Sequence, residues 1–139
     1  MARIRTIRPE FWESEKVGRL SPLARLTFVG LISLADDEGR GRGSHSFLLG
    51  RLHPYGGVSL AEIGAAASEI DDAGLVQWYK TVDGCEFYTL PGFKDNQYIE
   101  RPSKSKIPAP PTRKSSPKTP RTVGEGSPQE GKGREGKGI

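Results

Sequence analysis

Residues 59–90 constrain this chain more than any other stretch, because they encode a capped helix, a glycine stop and a β-hairpin in immediate succession. Ser59-Leu60-Ala61-Glu62 is a capping box: the serine oxygen accepts the N–H three residues on, and the glutamate reaches back to the serine N–H. The helix is expected over about residues 60–73, with Leu60, Ile63, Ala67 and Ile70 on its buried stripe. Ala73-Gly74 stops it, since glycine takes the left-handed C′ conformation without steric cost. Residues 75–82 and 85–90 then flank Asp83-Gly84, the preferred chemistry of a two-residue type I′ turn. Such a turn pairs Val82 with Cys85, Lys80 with Phe87 and Trp78 with Thr89. Leu75, Tyr79, Tyr88 and Leu90 then share a core face. Trp78, Lys80, Val82, Cys85 and Phe87 share the other, which is too apolar to be fully wet and suits cover by the N-terminal arm or a partner.

The elements before this unit are legible by the same local rules. Arg3 to Arg8 interleaves basic and apolar residues as an extended arm, and Pro9 biases Arg8 away from helix. Phe11 and Trp12 are expected to anchor the arm, with a short helical turn from Ser14 to Arg19. Ser21 as N-cap and Pro22 at the first position open a helix that Leu23, Leu26, Phe28, Val29, Leu31, Ile32 and Leu34 make apolar nearly all round. A helix of this kind belongs at the centre of a small domain. Asp36-Asp37-Glu38-Gly39 ends it, and residues 40–43 form a turn or short edge strand. Ser44 caps a third helix running to about Leu52, with Phe47, Leu48 and Leu52 buried, and Pro54-Tyr55-Gly56-Gly57 breaks it. Helices followed by a hairpin, with a small third strand near Arg40, define an α+β chain and fit a winged helix-turn-helix better than other small folds.

A length of 139 residues suffices for one ordinary domain and an extension. The boundary is expected near residue 100, giving a winged-helix domain with a basic arm over 1–100 and a disordered tail over 101–139. Proline, glycine and serine supply 18 of the last 39 residues and no aromatic occurs there, so little surface is available to offset ordering entropy. Charge divides at the same place. Residues 1–100 carry 11 Lys and Arg against 14 Asp and Glu, a net −3, whereas residues 101–139 carry ten against three, a net +7. A basic tail favours polyanions, nucleic acid above all, and a merely solubilising tail is the competing reading. No apolar run reaches the length of a membrane span, and the N-terminus has no secretory pattern. Cys85 is the only cysteine, so no intrachain disulfide forms, which suits a cytoplasmic location.

Catalytic patterns are absent from the sequence. Asp36-Asp37-Glu38 lacks the alternation of a calcium loop and reads as an exposed helix end. His45, His53 and Cys85 cannot supply four zinc ligands. Gly39-Arg40-Gly41-Arg42-Gly43 follows a helix rather than a strand and lacks the Lys-Ser/Thr of a phosphate loop. The expectation is a protein with no catalytic residues, metal or cofactor.

Nucleic-acid features are scattered along the chain. Arg3, Arg5 and Arg8 lie on the arm, Arg40, Arg42 and Ser44 at the mouth of the third helix, and Lys80 and Thr81 near the hairpin tip. Asn96, Gln97, Arg101, Lys104 and Lys106 form a polar, basic exit strip. Against them stands the helix 60–73, which carries Glu62, Glu69, Asp71 and Asp72 and no Lys, Arg, Asn or Gln with which to read a groove.

Several ordered blocks also resemble a family of bacteriophage helix-turn-helix proteins similar to the N-terminal domains of phage replisome organisers. The blocks are Arg3-Ile4-Arg5-Thr6-Ile7-Arg8-Pro9-Glu10-Phe11-Trp12, Leu20 to Leu26, Ala35 to Arg40, His53-Pro54-Tyr55, Ala73 to Val76, and Arg101 to Pro108. Relatives often carry His-Gln where this chain has Asn96-Gln97, and larger ones add a helicase-recruiting domain where this chain has its tail. The resemblance implies a winged-helix protein that binds double-stranded DNA in phage replication initiation or transcription regulation, with replication proteins as further partners, in the bacterial host cytoplasm and away from membranes. The alternative is a protein–protein interaction module of a phage replication or host-takeover complex without direct DNA readout. The sequence leaves the oligomeric state open, a homodimer included.

Overall fold

The capping box forms as its residues require. In the computed structural model, which describes residues 4–99 and 102–111, Ser59 Oγ accepts from Glu62 N at 3.1 Å and Glu62 Oε1 accepts from Ser59 N at 2.8 Å. A serine N-cap without the reciprocal glutamate opens the two preceding long helices: Ser21 Oγ accepts from Ala24 N at 3.2 Å and Ser44 Oγ from Phe47 N at 3.1 Å. The described residues hold five α-helices: α1 Glu15–Gly18, α2 Pro22–Leu34, α3 His45–Leu52, α4 Leu60–Asp72 and α5 Phe93–Asn96. Strands β1 Arg40–Arg42, β2 Gln77–Lys80 and β3 Glu86–Thr89 form an antiparallel sheet in the order β1-β3-β2. The chain is thus α+β, and none of these helices is long and apolar enough to cross a membrane. Helix α5 has no counterpart among the sequence expectations. It exists because Phe93, right after Gly92, drops into the core.

Helix α2 packs on α4 through Ala24, Phe28 and Leu31 against Ile63, Ala66 and Ile70, with Leu48 of α3 completing the layer. The stripe on α4 is Ile63, Ala66, Ala67 and Ile70, not one beginning at Leu60. That i, i+3, i+4, i+7 set, centred on two alanines, leaves Leu60 off its end and 48% exposed. Leu26 of α2 is likewise exposed. Beyond Asp72 the helix closes as a Schellman motif, Leu75 N donating to Ile70 O at 3.2 Å and Gly74 N to Asp71 O at 2.9 Å. At the N-terminus, Pro9–Glu13 is a 3-10 helix. Phe11 stacks on Phe28 with centroids 5.5 Å apart, whereas Trp12 meets only the edge of Phe11 and stays 59% exposed. One aromatic anchors the arm, not two.

The hairpin corrects the expected register. Lys80 pairs with Glu86, Tyr79 with Phe87 and Trp78 with Tyr88, one residue out from the pairing of a two-residue turn. The loop has three residues, 82–84, closed by Thr81 N to Cys85 O at 3.0 Å, with Gly84 at φ +86°. This is a type I turn followed by a left-handed residue. Asp83 favours it by accepting from Thr81 Oγ1 and Cys85 N, and these donors hold its carboxyl below the usual range. Because side chains alternate with period two, the slip exchanges faces. Trp78 stands beside Tyr88 on the core side and donates Nε1 to Gly43 O at 3.0 Å. Tyr79 stands beside Phe87 on the opposite face, outside the core cluster.

That opposite face is covered by the C-terminal side, not by the N-terminal arm. Tyr79 OH donates to Pro108 O at 2.7 Å. Residues 102–111, expected within a disordered tail, run as a strap across the domain. Ser103 N donates to Asp37 Oδ2 at 2.9 Å, Ser105 N to Glu38 Oε2 at 3.1 Å, and Ser105 Oγ to Asp36 Oδ2. Composition missed this because polar groups, not apolar area, hold the strap. The remainder of the expected tail, 112–139, lies outside the described residues.

Candidate nucleic-acid interface

Strand β1 sorts its residues by alternation. Gly41 faces the core under Tyr88, and a Cβ there would lie 2.4 Å from the ring. The ring crosses at that point to let Tyr88 OH donate to Leu31 O at 2.7 Å. The glycines of residues 39–43 therefore serve packing. Arg40 and Arg42, on either side of Gly41, take the other face.

Arg42 lies 4.1 Å over the Phe47 ring, and Arg51 lies 5.7 Å from the same ring. Phe47 and Arg51 are one helical turn apart on α3, and the Ser44 cap fixes the start of that turn. Ring and cations hold one another by cation–π attraction, so both guanidiniums are ordered without a carboxylate partner. Arg40 behaves differently: Nη1 donates to Ile107 O at 3.0 Å and Nη2 lies 3.6 Å from Glu38 Oε1.

These groups line a cleft of about 700 Å³ that Lys104 and Lys106 of the strap close on the far side. Asp36 and Asp37 also line it, but both are engaged within the fold. Asp37 accepts from Arg5 Nη2 at 2.9 Å and from Ser103 N; Asp36 accepts from Glu38 N at 2.9 Å, Arg40 N at 3.0 Å and the Ser105 hydroxyl. Arg42, Arg51, Lys104 and Lys106 are exposed and form no ion pair among the described residues. The cleft therefore sets four exposed cations beside two carboxylates whose oxygens are engaged within the fold, one of them ion-paired with Arg5. Clustered cations of one sign attract a polyanion and form charge-assisted hydrogen bonds with it.

The other residues singled out from sequence do not join this cleft. Arg5 is internal, its side chain 7% exposed, donating to Ala35 O at 2.8 Å and to Asp37 while lying 5.3 Å from the Phe93 ring. Arg8 is exposed at the arm, 3.4 Å from Asp95 O. Gln97 clamps Thr6 in both directions, at 2.7 Å and 2.8 Å, and Asn96 donates to Gly92 O at 3.0 Å. The expected exit strip is thus split: Gln97 holds the arm and Asn96 bonds back to its own turn, while Lys104 and Lys106 line the cleft. Lys80 is exposed at the end of β2, Thr81 bonds within the hairpin loop, and Ser44 is a cap. Arg3 and Arg101 lie outside the described residues. Sequence reasoning passed over Arg51, although its i+4 spacing from Phe47 behind a serine cap was a usable signal.

Helix α4 contributes nothing to the cleft lining. Two of its acids have structural partners: Glu62 completes the capping box, and Glu69 accepts from Ser21 N at 2.8 Å and Ser21 Oγ at 2.9 Å. Near the cleft, burial raises the Tyr79 phenol above its ordinary pKa, partly opposed by the Arg40 charge. Among the described residues no three His, Cys, Asp or Glu side chains come together to hold a metal ion. Comparison with protein-family models, curated proteins and solved structures found no match to this chain.

Proposed function

We propose that the chain is a winged-helix DNA-binding protein of the bacteriophage type, acting in phage DNA replication initiation or regulation in the host cytoplasm. The order α2-β1-α3-α4-β2-β3 and the strand order β1-β3-β2 support the winged-helix reading, with residues 81–85 as the wing tip. The observation that carries the DNA reading is the gathering of Arg42, Arg51, Lys104 and Lys106 around one cleft. Guanidiniums held beside an aromatic ring can each offer two N–H groups to a phosphate, and the lysines add mobile point charges. Helix α4 offers no donor-rich side chain, so phosphate contacts dominate and sequence discrimination is shallow. The test is fluorescence anisotropy on a duplex with the double variant R42A/R51A and the variant K80A. The reading predicts a loss of about tenfold or more for the first and little change for the second. Equal affinity of R42A/R51A and the unaltered chain would overturn it.

One observation favours a second reading, a protein-interaction module in a replication or host-takeover complex. The exposed face of α4 carries Leu60, Ala61, Ala65 and Ser68 beside Glu62 and Asp72, a neutral-to-acidic surface suited to protein rather than phosphate. This reading predicts a complex that survives nuclease treatment and is lost in L60R.

A further inference from the structure

Two of the four exposed cations at the cleft come from the strap, and the strap is held by an unexpected set of groups. Its hydrogen bonds to the rest of the domain go to Asp36, Asp37, Glu38, Arg40 and Tyr79. Glu38 and Tyr79 do not line the cleft. Glu38 accepts from the Ser105 amide between Lys104 and Lys106, and also lies 3.6 Å from Arg40 and 3.9 Å from Lys94. Tyr79 anchors the strap two residues beyond Lys106, through Pro108 O.

We propose that Glu38 and Tyr79 are positioning residues for polyanion binding: they latch the strap so that Lys104 and Lys106 form one wall of a composite phosphate cleft. The proposal rests on the reading of the cleft as a phosphate-contact surface. It makes a prediction opposite to that of simple electrostatics. Removing the Glu38 carboxylate takes away a negative charge and releases Arg40, so on charge alone a phosphate backbone should bind more tightly. With the strap latched by Glu38, its loss lets two lysines leave the cleft, and binding weakens.

The experiment uses the full chain and a DNA duplex, followed by anisotropy against salt, with the variants E38A, Y79F, E38A/Y79F and K104A/K106A. Unchanged circular dichroism at the working temperature identifies variants that remain folded. E38A/Y79F is expected to lose roughly tenfold in affinity, and its log K against log salt slope is expected to flatten by about two phosphate equivalents, as in K104A/K106A. Adding Y79F, which alters no charge, to K104A/K106A is expected to change nothing further, the mark of two changes acting through one wall. Y79F alone, which alters no charge, is expected to shift affinity in the same direction by a smaller factor. Hydrogen exchange reports the latch without DNA: the Ser103 and Ser105 amides are protected in the unaltered chain and exchange freely in E38A/Y79F. Duplex binding that E38A/Y79F leaves unchanged or strengthens overturns the latch while the cleft reading stands. Failure of the unaltered chain to bind duplex overturns the cleft reading and the latch's role in binding together, and unprotected Ser103 and Ser105 amides overturn the latch itself.

Discussion

Two arginines on neighbouring segments show how far residue type falls short of residue role. Arg5 and Arg42 were equal candidates for DNA contact in sequence, yet Arg5 is enclosed by Ala35 O, Asp37 and the Phe93 ring while Arg42 is exposed over Phe47. The difference depends on contacts 30 and 32 residues away in the chain, which no local pattern encodes. Arg5→Ala is expected to cost about 3 kcal/mol in urea unfolding, the low end for a broken buried pair because Asp37 keeps some contact with water. The same variant takes the Arg5 charge away from the Asp37 carboxylate at the cleft, so duplex binding followed by anisotropy is expected to weaken as well. At Tyr88 the loss is smaller: Tyr88→Phe gives up the bond to Leu31 O, worth about 1 kcal/mol. Gly41→Ala, which sets a methyl into the Tyr88 ring, is expected to cost about 1–3 kcal/mol in thermal or urea unfolding.

Among the elements, legibility followed sequence distance. The serine caps at 21, 44 and 59 and the glycine stop at 74 were readable because each acts within a few residues. The hairpin was readable as a hairpin but not in register, since Thr81 and Asp83 together select the three-residue loop. The strap was not readable at all: its bonds to Asp36, Asp37 and Glu38 join residues 66 to 69 apart. The carboxylates that seemed a solvated helix end are its receptor. A pH prediction belongs here. Burial raises the Tyr79 phenol in the folded state, so the proton is bound more tightly there than in the unfolded chain. The associated stability is complete below the ordinary phenol range and is lost as pH rises through the raised value. Hydrogen exchange of the Ser105 amide should therefore accelerate, beyond its intrinsic base catalysis, above about pH 10, and Tyr79→Phe should remove that extra step.

For the molecule as a whole, the overall charge was a poor guide to where a polyanion would be met. The first 100 residues sum to −3, and helix α4 carries four acidic residues and no basic one. Yet the fold engages carboxylates locally, using Glu62 and Glu69 as caps and Asp36 and Asp37 as acceptors, and leaves four cations exposed around one cleft. Arg42 and Arg51 come from the acidic half of the chain and Lys104 and Lys106 from the basic half, so the site assembles only when the strap is in place. The most direct test is the salt dependence of duplex binding for the full chain and for R42A/R51A/K104A/K106A. Over about 50–200 mM salt, a cleft in which each cation meets one phosphate predicts a log–log slope of about −3 to −4 for the unaltered chain, falling to near zero in the variant. A slope that the four substitutions leave unchanged would contradict the account.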